Sequence, residues 1–182
     1  GVVGHSGGFC IEAQALFARM STLPSYTRRR QIDARIKAAK NSGAWPLLDF
    51  WHMMNAADTQ AANLNWKQSS FGLTAAGSPT FAAGAGYTGD GSAAALSTGF
   101  TPSAAGGNFT LNSAGFGVLI TGPASGSGLR VEMGSQGGAG GNSYIGVNSG
   151  NTLLSMNSGS SPAAFTAEGM IGLWSMIRRA NN

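Results

Sequence analysis

Phe116-Gly117-Val118-Leu119-Ile120, then a turn-rich Thr121–Gly128, then Leu129-Arg130-Val131-Glu132-Met133: this stretch decides the fold. In the first run Phe116, Val118 and Ile120 alternate with other residues. In the second, Leu129, Val131 and Met133 alternate with Arg130 and Glu132, which face the other way. A period of two is the signature of a strand with one face buried. Further apolar runs follow at Tyr144–Val147, Leu153–Met156 and Met170–Ile177, divided by the polar, glycine-bearing turns Gly134–Asn142, Asn148–Asn151 and Asn157–Pro162. Strands spaced by roughly 10–17 residues, with such turns between them, predict an antiparallel β-sandwich of jelly-roll type. No long helical pattern separates the strands, which argues against a parallel α/β sheet. About six or seven strands is thin for a closed two-sheet sandwich. The strand set is therefore expected to be incomplete at the C-terminus, to be completed by further chain or by neighbouring copies. Open sheet edges must be covered, so a homo-oligomer, a trimer, is expected.

Working upstream, the composition changes near residues 69–77. Of 29 glycines, 5 precede residue 71 and 24 follow it. Residues 1–70 hold eight Lys/Arg and four Asp/Glu, which is the whole net charge of +4; residues 71–182 hold three of each. Interior glycine costs a helix roughly 1 kcal/mol per residue, so the second part cannot be mainly helical and the first can. Pro24-Ser25 starts a helix with Ser25 or Thr27 as N-cap; Ile32, Ile36 and Ala39 form its apolar face, and Gly43 is its left-handed stop. Pro46 suits the first turn of a second helix carrying Leu47, Trp51 and Met54 at i, i+4 and i+7. Ile11–Met20 reads as another helix, and Asp58 as the cap of one turn before Asn63. The expected fold is thus α+β: a helical adaptor module over 1–70 and a Gly-rich, jelly-roll-like sandwich over 71–182.

Composition also excludes chemistry. Charged residues are 10% of 182, against roughly 25% in ordinary soluble domains. One cysteine, Cys10, permits neither an intrachain disulfide nor a cysteine-based zinc site. No run of 18 apolar residues marks a transmembrane helix. No cofactor or metal site is expected.

Ile32-Asp33-Ala34-x-Ile36-Lys37-Ala38-x-Lys40-x-x-Gly43-x-Trp45-x-x-Leu48-Asp49, followed by Ala56–Ala62, Asn65-Trp66, Ser78–Phe81 and Gly86–Ser92, resembles a module common in phage and prophage virion proteins. Trp174–Arg178 is similar to a later strand of that family. The resemblance implies a fibre, spike or tail-tip protein, a concanavalin-like jelly roll, a location in the virion among other virion proteins, and attachment to host-surface glycans.

Several features invite chemistry. Gly4-His5-Ser6-Gly7-Gly8 matches the nucleophile elbow of α/β-hydrolases, but that elbow needs a preceding buried strand, and only three residues precede Gly4. The acid and histidine that would follow, Asp49 and His52, sit three apart, unlike a hydrolase. Arg28, Arg29, Arg30, Arg35, Lys37 and Lys40 make a basic helix, yet no aromatic residues interleave for base stacking, so nucleic acid is not the expected partner. Trp45, Phe50, Trp51 and Trp66 read as a core joining helices to sheet rather than a sugar platform. Asp90 between Gly89 and Gly91 reads as a tight turn, because calcium wants six to eight oxygens. Cys10 reads as a small buried hydrophobe. Glu132 and Glu168, the only glutamates after residue 71, are too few for an easily built carboxylate pair. Asn142, Tyr144 and Asn148 are the candidate glycan-binding residues: amides donate and accept hydrogen bonds, and Tyr144 offers a ring. The expected function is a non-enzymatic virion structural protein that attaches to host glycans. The alternatives are a purely architectural decoration or collar protein, and an esterase or polysaccharide depolymerase.

Overall fold

The computed structural model describes residues 8–105, 107–122, 129–135, 142–148, 151–158, 163–166 and 171–179. Within them the chain is α+β, with four α-helices and ten strands, and every strand pairing is antiparallel. It divides into two compact units, Gly1–Phe100 and Thr101–Asn182. The division falls well after the composition break near residues 69–77.

The first unit opens with α1 (Ile11–Phe17) and α2 (Tyr26–Asn41). Ser25 caps α2, its hydroxyl accepting the Arg28 N–H at 3.3 Å. Gly43, at φ +76°, ends it in the left-handed region that a Cβ disfavours. The start of α1 is held from outside. Cys10 precedes it with no side-chain cap of its own, and Asp33 of α2 reaches across to accept the Cys10 N–H at 2.7 Å. The other Asp33 oxygen pairs with Lys37, one turn on, at 2.7 Å. Burial pushes the Asp33 carboxyl up, but the Lys37 and Cys10 hydrogen bonds outweigh it and hold the group below the ordinary aspartate range. Ala13, Leu16, Phe17, Ile32, Ile36, Trp45 and Trp66 form the core, with Leu48, Trp51 and Met53 packed on it.

The helix expected from Pro46 does not form. Trp45–Leu47 is a single 3-10 turn, and residues 48–55 carry no helix. Leu47, assigned to an apolar face by its spacing, is 68% exposed. The reason is distant in sequence: the Trp51 N–H donates to the Asn65 side chain and the Trp51 carbonyl accepts the Trp66 N–H, both impossible in a continuous helix at that point. Helix in residues 8–70 is therefore limited to α1, α2 and a short α3 (Thr59–Asn63), which Asp58 caps as expected by accepting the Ala61 N–H at 2.8 Å.

Two small hairpins complete this unit. β2 (Thr80–Ala82) and β3 (Gly86–Thr88) pair inside the span of β1 (Thr74–Ala76) and β4 (Ala95–Ser97), which pair with each other. The Tyr87 hydroxyl and Asn63 Oδ1 lie 2.7 Å apart, tying β3 to α3. Gly77, at φ +65°, lies so close to the chain at Ala93 that a Cβ there would meet the Ala93 carbonyl oxygen at 2.2 Å.

The second unit holds α4 (Pro102–Ala105) and two sheets. β5 (Ala114–Ile120) pairs with β10 (Gly172–Arg178); β6 (Leu129–Ser135), β7 (Asn142–Asn148), β8 (Asn151–Ser158) and β9 (Ala163–Thr166) form a meander. Phe116, Val118, Ile120, Trp174 and Met176 from one sheet pack with Ile145, Val147 and Leu154 from the other. Two antiparallel layers sharing an apolar core are compatible with a β-sandwich. β6 departs from the expected alternation. Val131 is 51% exposed, whereas Arg130 and Glu132 are half-buried, because the pairing with β7 slips by one residue between Val131 and Met133. Such a bulge turns side chains to the opposite face. β1 to β4 and β9 have no counterpart among the expected strands.

Candidate functional site

The three candidate glycan-binding residues lie along one strand. Asn142 and Asn148 are the exposed ends of β7, and six residue steps of about 3.3 Å separate them by roughly 20 Å. One monosaccharide cannot touch both. Asn142 and half-buried Tyr144 belong to one end; Asn148 belongs to the other, where it pairs with Asn151 across the hairpin. Tyr144 lies opposite Gly134 in register, and a Cβ on Gly134 would come within 2.7 Å of the Tyr144 Cβ. Glycine there leaves the room the tyrosine occupies. Ser155, buried, donates from its hydroxyl to the Asn142 carbonyl at 2.9 Å and fixes that end of the strand. The turn Gly134–Asn142 lies mostly outside the described residues, as do Ser6 with its glycine neighbours through Gly7, His5 and Glu168.

The basic helix is largely committed within its own unit. Arg28 donates to the Asn55 carbonyl at 3.0 Å. The Arg29 guanidinium lies over the rings of Phe9 and Tyr26, 5.4 and 5.9 Å from their centroids. Lys37 is paired with Asp33, and Lys40 with Glu12. The Lys40 hydrogen bond draws the Glu12 carboxyl below its ordinary range despite the opposing desolvation.

The tryptophans are not a surface platform. Trp45 and Trp66 are buried, Trp51 is half-buried between them with ring centroids 6.4 and 5.4 Å away, and Lys67 Nζ sits 4.9 Å from the Trp45 ring while donating to the Trp45 carbonyl. They unite the helices with the 45–66 segment, and the buried core they belong to contains no strand residue, contrary to the expected joint between helices and sheet. Trp174 does sit in the core of the second unit, half-buried.

The remaining ionisable groups have local duties. Asp90 Oδ1 accepts N–H groups from Ser92, Ala93 and Ala94 at 2.8–2.9 Å, and these bonds lower its carboxyl pKa. This is the tight turn expected of it. Burial raises the Cys10 thiol, which keeps it protonated and a poor nucleophile. Burial also raises Glu132 in spite of nearby Arg130. Among the described residues no group of three or more His, Cys, Asp and Glu could hold a metal ion, and no helix is long and apolar enough to cross a membrane. A concavity of about 520 Å3 beside α2 is bordered by Met20, Leu23, Pro24, Met53 and Trp66. Its polar groups serve structure: Arg28 holds the Asn55 carbonyl and Asp58 caps α3.

His52 has a consequence in solution. Its Nε2 is 2.9 Å from the Phe71 carbonyl, and its ring packs beside Phe50. Burial lowers its pKa below 6.5, outweighing the hydrogen bond to Phe71. The unfolded chain therefore takes up a proton near pH 6.5 before the folded chain does. Stability of the first unit should fall as pH drops below that value, then level once folded His52 is also protonated. Asp33, Glu12 and Asp90 titrate below this window, and Glu132, with its raised pKa, acts in the opposite direction in the other unit. Melting temperature between pH 7.5 and 5 tests it, with His52→Gln expected to flatten the slope; an unchanged slope in that variant would refute the assignment.

Comparison with protein-family models, with curated proteins and with solved structures finds no match to this chain.

Sequence reasoning missed the polar side chains that organise the first unit. Asn65 is 1% exposed and makes three side-chain hydrogen bonds, to the Trp51 and Lys67 N–H groups and to the Ser70 carbonyl. Gln60 Nε2 donates to the Arg19 carbonyl, and Gln60 Oε1 accepts from Ser21. Arg19 donates to the Asn65 and Gln68 carbonyls, at 2.8 Å each. A polar residue beside a tryptophan, as in Asn65-Trp66, was the only local hint.

Proposed function

We propose that this is a non-enzymatic structural protein of a phage or phage-like particle, a fibre, spike or tail component. In this reading the second unit is a jelly-roll-like sandwich whose polar, uncharged sheet end around Asn142 and Tyr144 attaches to a host-surface polysaccharide, and the first unit docks onto other virion proteins. The observation that carries it is the chemistry of that sheet end: an exposed amide next to a half-exposed ring seated beside a glycine, with no charge to desolvate. The resemblance of residues 32–92 to virion modules supports the location. The commitment of Arg28, Arg29, Lys37 and Lys40 to intramolecular contacts favours this face over the basic helix.

A specific observation favours a second reading, an architectural decoration or collar role. Asn142 and Asn148 sit too far apart to act on one sugar, so the site is small. The esterase or depolymerase alternative has less support. Of the residues it would use, Ser6 and Glu168 lie outside the described residues and Glu132 is a single half-buried carboxyl, while Asp33, Glu12, Asp58, Asp90 and His52 all hold structural contacts.

Adsorption to purified bacterial surface polysaccharides, measured across a salt series, separates these readings. Binding at the sheet end should vary little with salt and weaken about tenfold or more in Tyr144→Ala. Arg30→Ser and Arg35→Ser, chosen because both residues are exposed, should leave it unchanged. A steep salt dependence with loss only in the arginine variants would move the function to α2. Absence of binding to any polysaccharide would leave the architectural reading.

A further inference from the structure

We propose that the outer face of the β5–β10 pair is the surface through which two copies of this chain associate, face to face. The inner face of this pair is spent on the core. The outer face carries Gly115, Gly117 and Leu119 from β5 and Leu173, Ser175 and Ile177 from β10, with Ile171 extending the row just before β10. Leu119 is 64% exposed, Leu173 75%, Ile177 70% and Ile171 61%. Scattered exposed leucines are ordinary, but these are contiguous: the register sets Leu119 directly beside Leu173, and Gly115 beside Ile177.

The chemistry of the face selects its occupant. Its one charged residue is Arg179, exposed at the end of the row two residues past Ile177, whereas Arg178 turns inward, where its guanidinium donates to the Met156 carbonyl of β8 at 3.2 Å. A polyanion would find a single guanidinium at the rim, Arg179, and a polysaccharide one side-chain hydroxyl, Ser175. A second apolar sheet face is the matching surface, and the chain itself supplies one. Leu119 and Leu173 stand as ridges next to the hollow over Gly115 and Gly117. The hollow is built in, because a Cβ at Gly117 would press within 2.9 Å of the Trp174 carbonyl oxygen. Two such faces related by a two-fold axis can set leucine into hollow on both sides at the usual sheet-to-sheet distance of about 10 Å. Repulsion is slight: residues 101–182 hold three arginines and two glutamates, a net charge of +1. The four side chains expose on the order of 500 Å2, the upper range for an apolar patch on a monomer. Pairing two patches buries roughly 1,000 Å2, the level at which specific interfaces begin. Two-fold pairing, rather than the trimer expected from the sequence, is what this face fits.

Sedimentation of the 182-residue chain at roughly 10–100 µM should give the mass of two copies, in reversible exchange with one. Leu173→Asp and Leu119→Asp should each raise the dissociation constant at least tenfold. Leu47→Asp, a control in the first unit at a residue 68% exposed, should not. Circular dichroism confirms that each variant is folded, and Ile177→Thr, which keeps a β-branched side chain, serves where aspartate disturbs the strand. A wild-type monomer at the highest concentration, a three-copy assembly, or folded variants that keep the wild-type mass would overturn the proposal. So would a monomer that cosediments with phosphatidylcholine vesicles, which would assign the patch to a lipid surface.

Discussion

Replacing Trp66 with alanine should cost the first unit about 3–5 kcal/mol. Trp66 is 3% exposed, its ring lies 5.4 Å from that of Trp51, and it packs in the cluster of Leu16, Phe17, Ile32, Ile36 and Trp45. Alanine leaves a void lined by both helices, and helices this short cannot collapse into it without losing their own contacts. Domain stabilities run to about 5–15 kcal/mol, so the loss takes much of the total and should lower the melting temperature of this unit by on the order of 20 °C. The same change at half-buried Trp51 should cost less. Thermal unfolding followed by tryptophan fluorescence checks this. A Trp66→Ala melt within about 5 °C of wild type would show that the cluster is not the core of the unit.

Asn65→Ala should be nearly as damaging, for a different reason. Two N–H donors, of Trp51 and Lys67, and one acceptor, the Ser70 carbonyl, lose at once a partner that is itself 1% exposed. Each buried polar group left unmatched costs about 1–3 kcal/mol, so the sum is about 3–5 kcal/mol with partial relaxation. Asn65→Asp is the informative companion. It retains acceptors for the two N–H groups but turns the third bond into an oxygen facing the Ser70 carbonyl, and it places a charge in the interior. It should be destabilising as well, and increasingly so as pH rises and the carboxyl ionises. Urea denaturation of both variants reads the effect. An Asn65→Ala protein within about 1 kcal/mol of wild type would mean that the 48–70 segment is held by packing alone.

What the sequence made legible follows from the range of the interactions involved. Ser25, Gly43 and Asp58 act on residues within one turn of themselves, and all three do what their identities predict. The strand at Phe116–Ile120 announces itself by alternation, which needs only neighbours two residues apart, and the one within Met170–Ile177 by an apolar run. The failures are long-range. Leu47, Trp51 and Met54 have faultless helical spacing, yet Asn65 and Trp66 take the Trp51 backbone for themselves. The Val131–Met133 bulge reverses a face without any marking residue. The candidate site was readable as chemistry but not as geometry. Asn142, Tyr144 and Asn148 are the right types for a sugar surface, and only the pairing of β7 with its neighbours reveals that the two asparagines occupy opposite ends of one strand. The apolar outer row of Leu119, Leu173 and Ile177 was equally hidden, because it emerges when β5 and β10, far apart in sequence, come together.

The carboxylate of Asp33 on the Cys10 N–H sets an order of events during synthesis. A seven-residue helix is too short to persist alone in water, where roughly 12–15 residues are already marginal. Helix α1 emerges from the ribosome before α2 and thus has no structure to keep until residue 33 has followed and α2 has formed around it. Arg19, just past the end of α1, waits longer still, for the carbonyls of Asn65 and Gln68. Helix α1 is written before its supports and completed only after them.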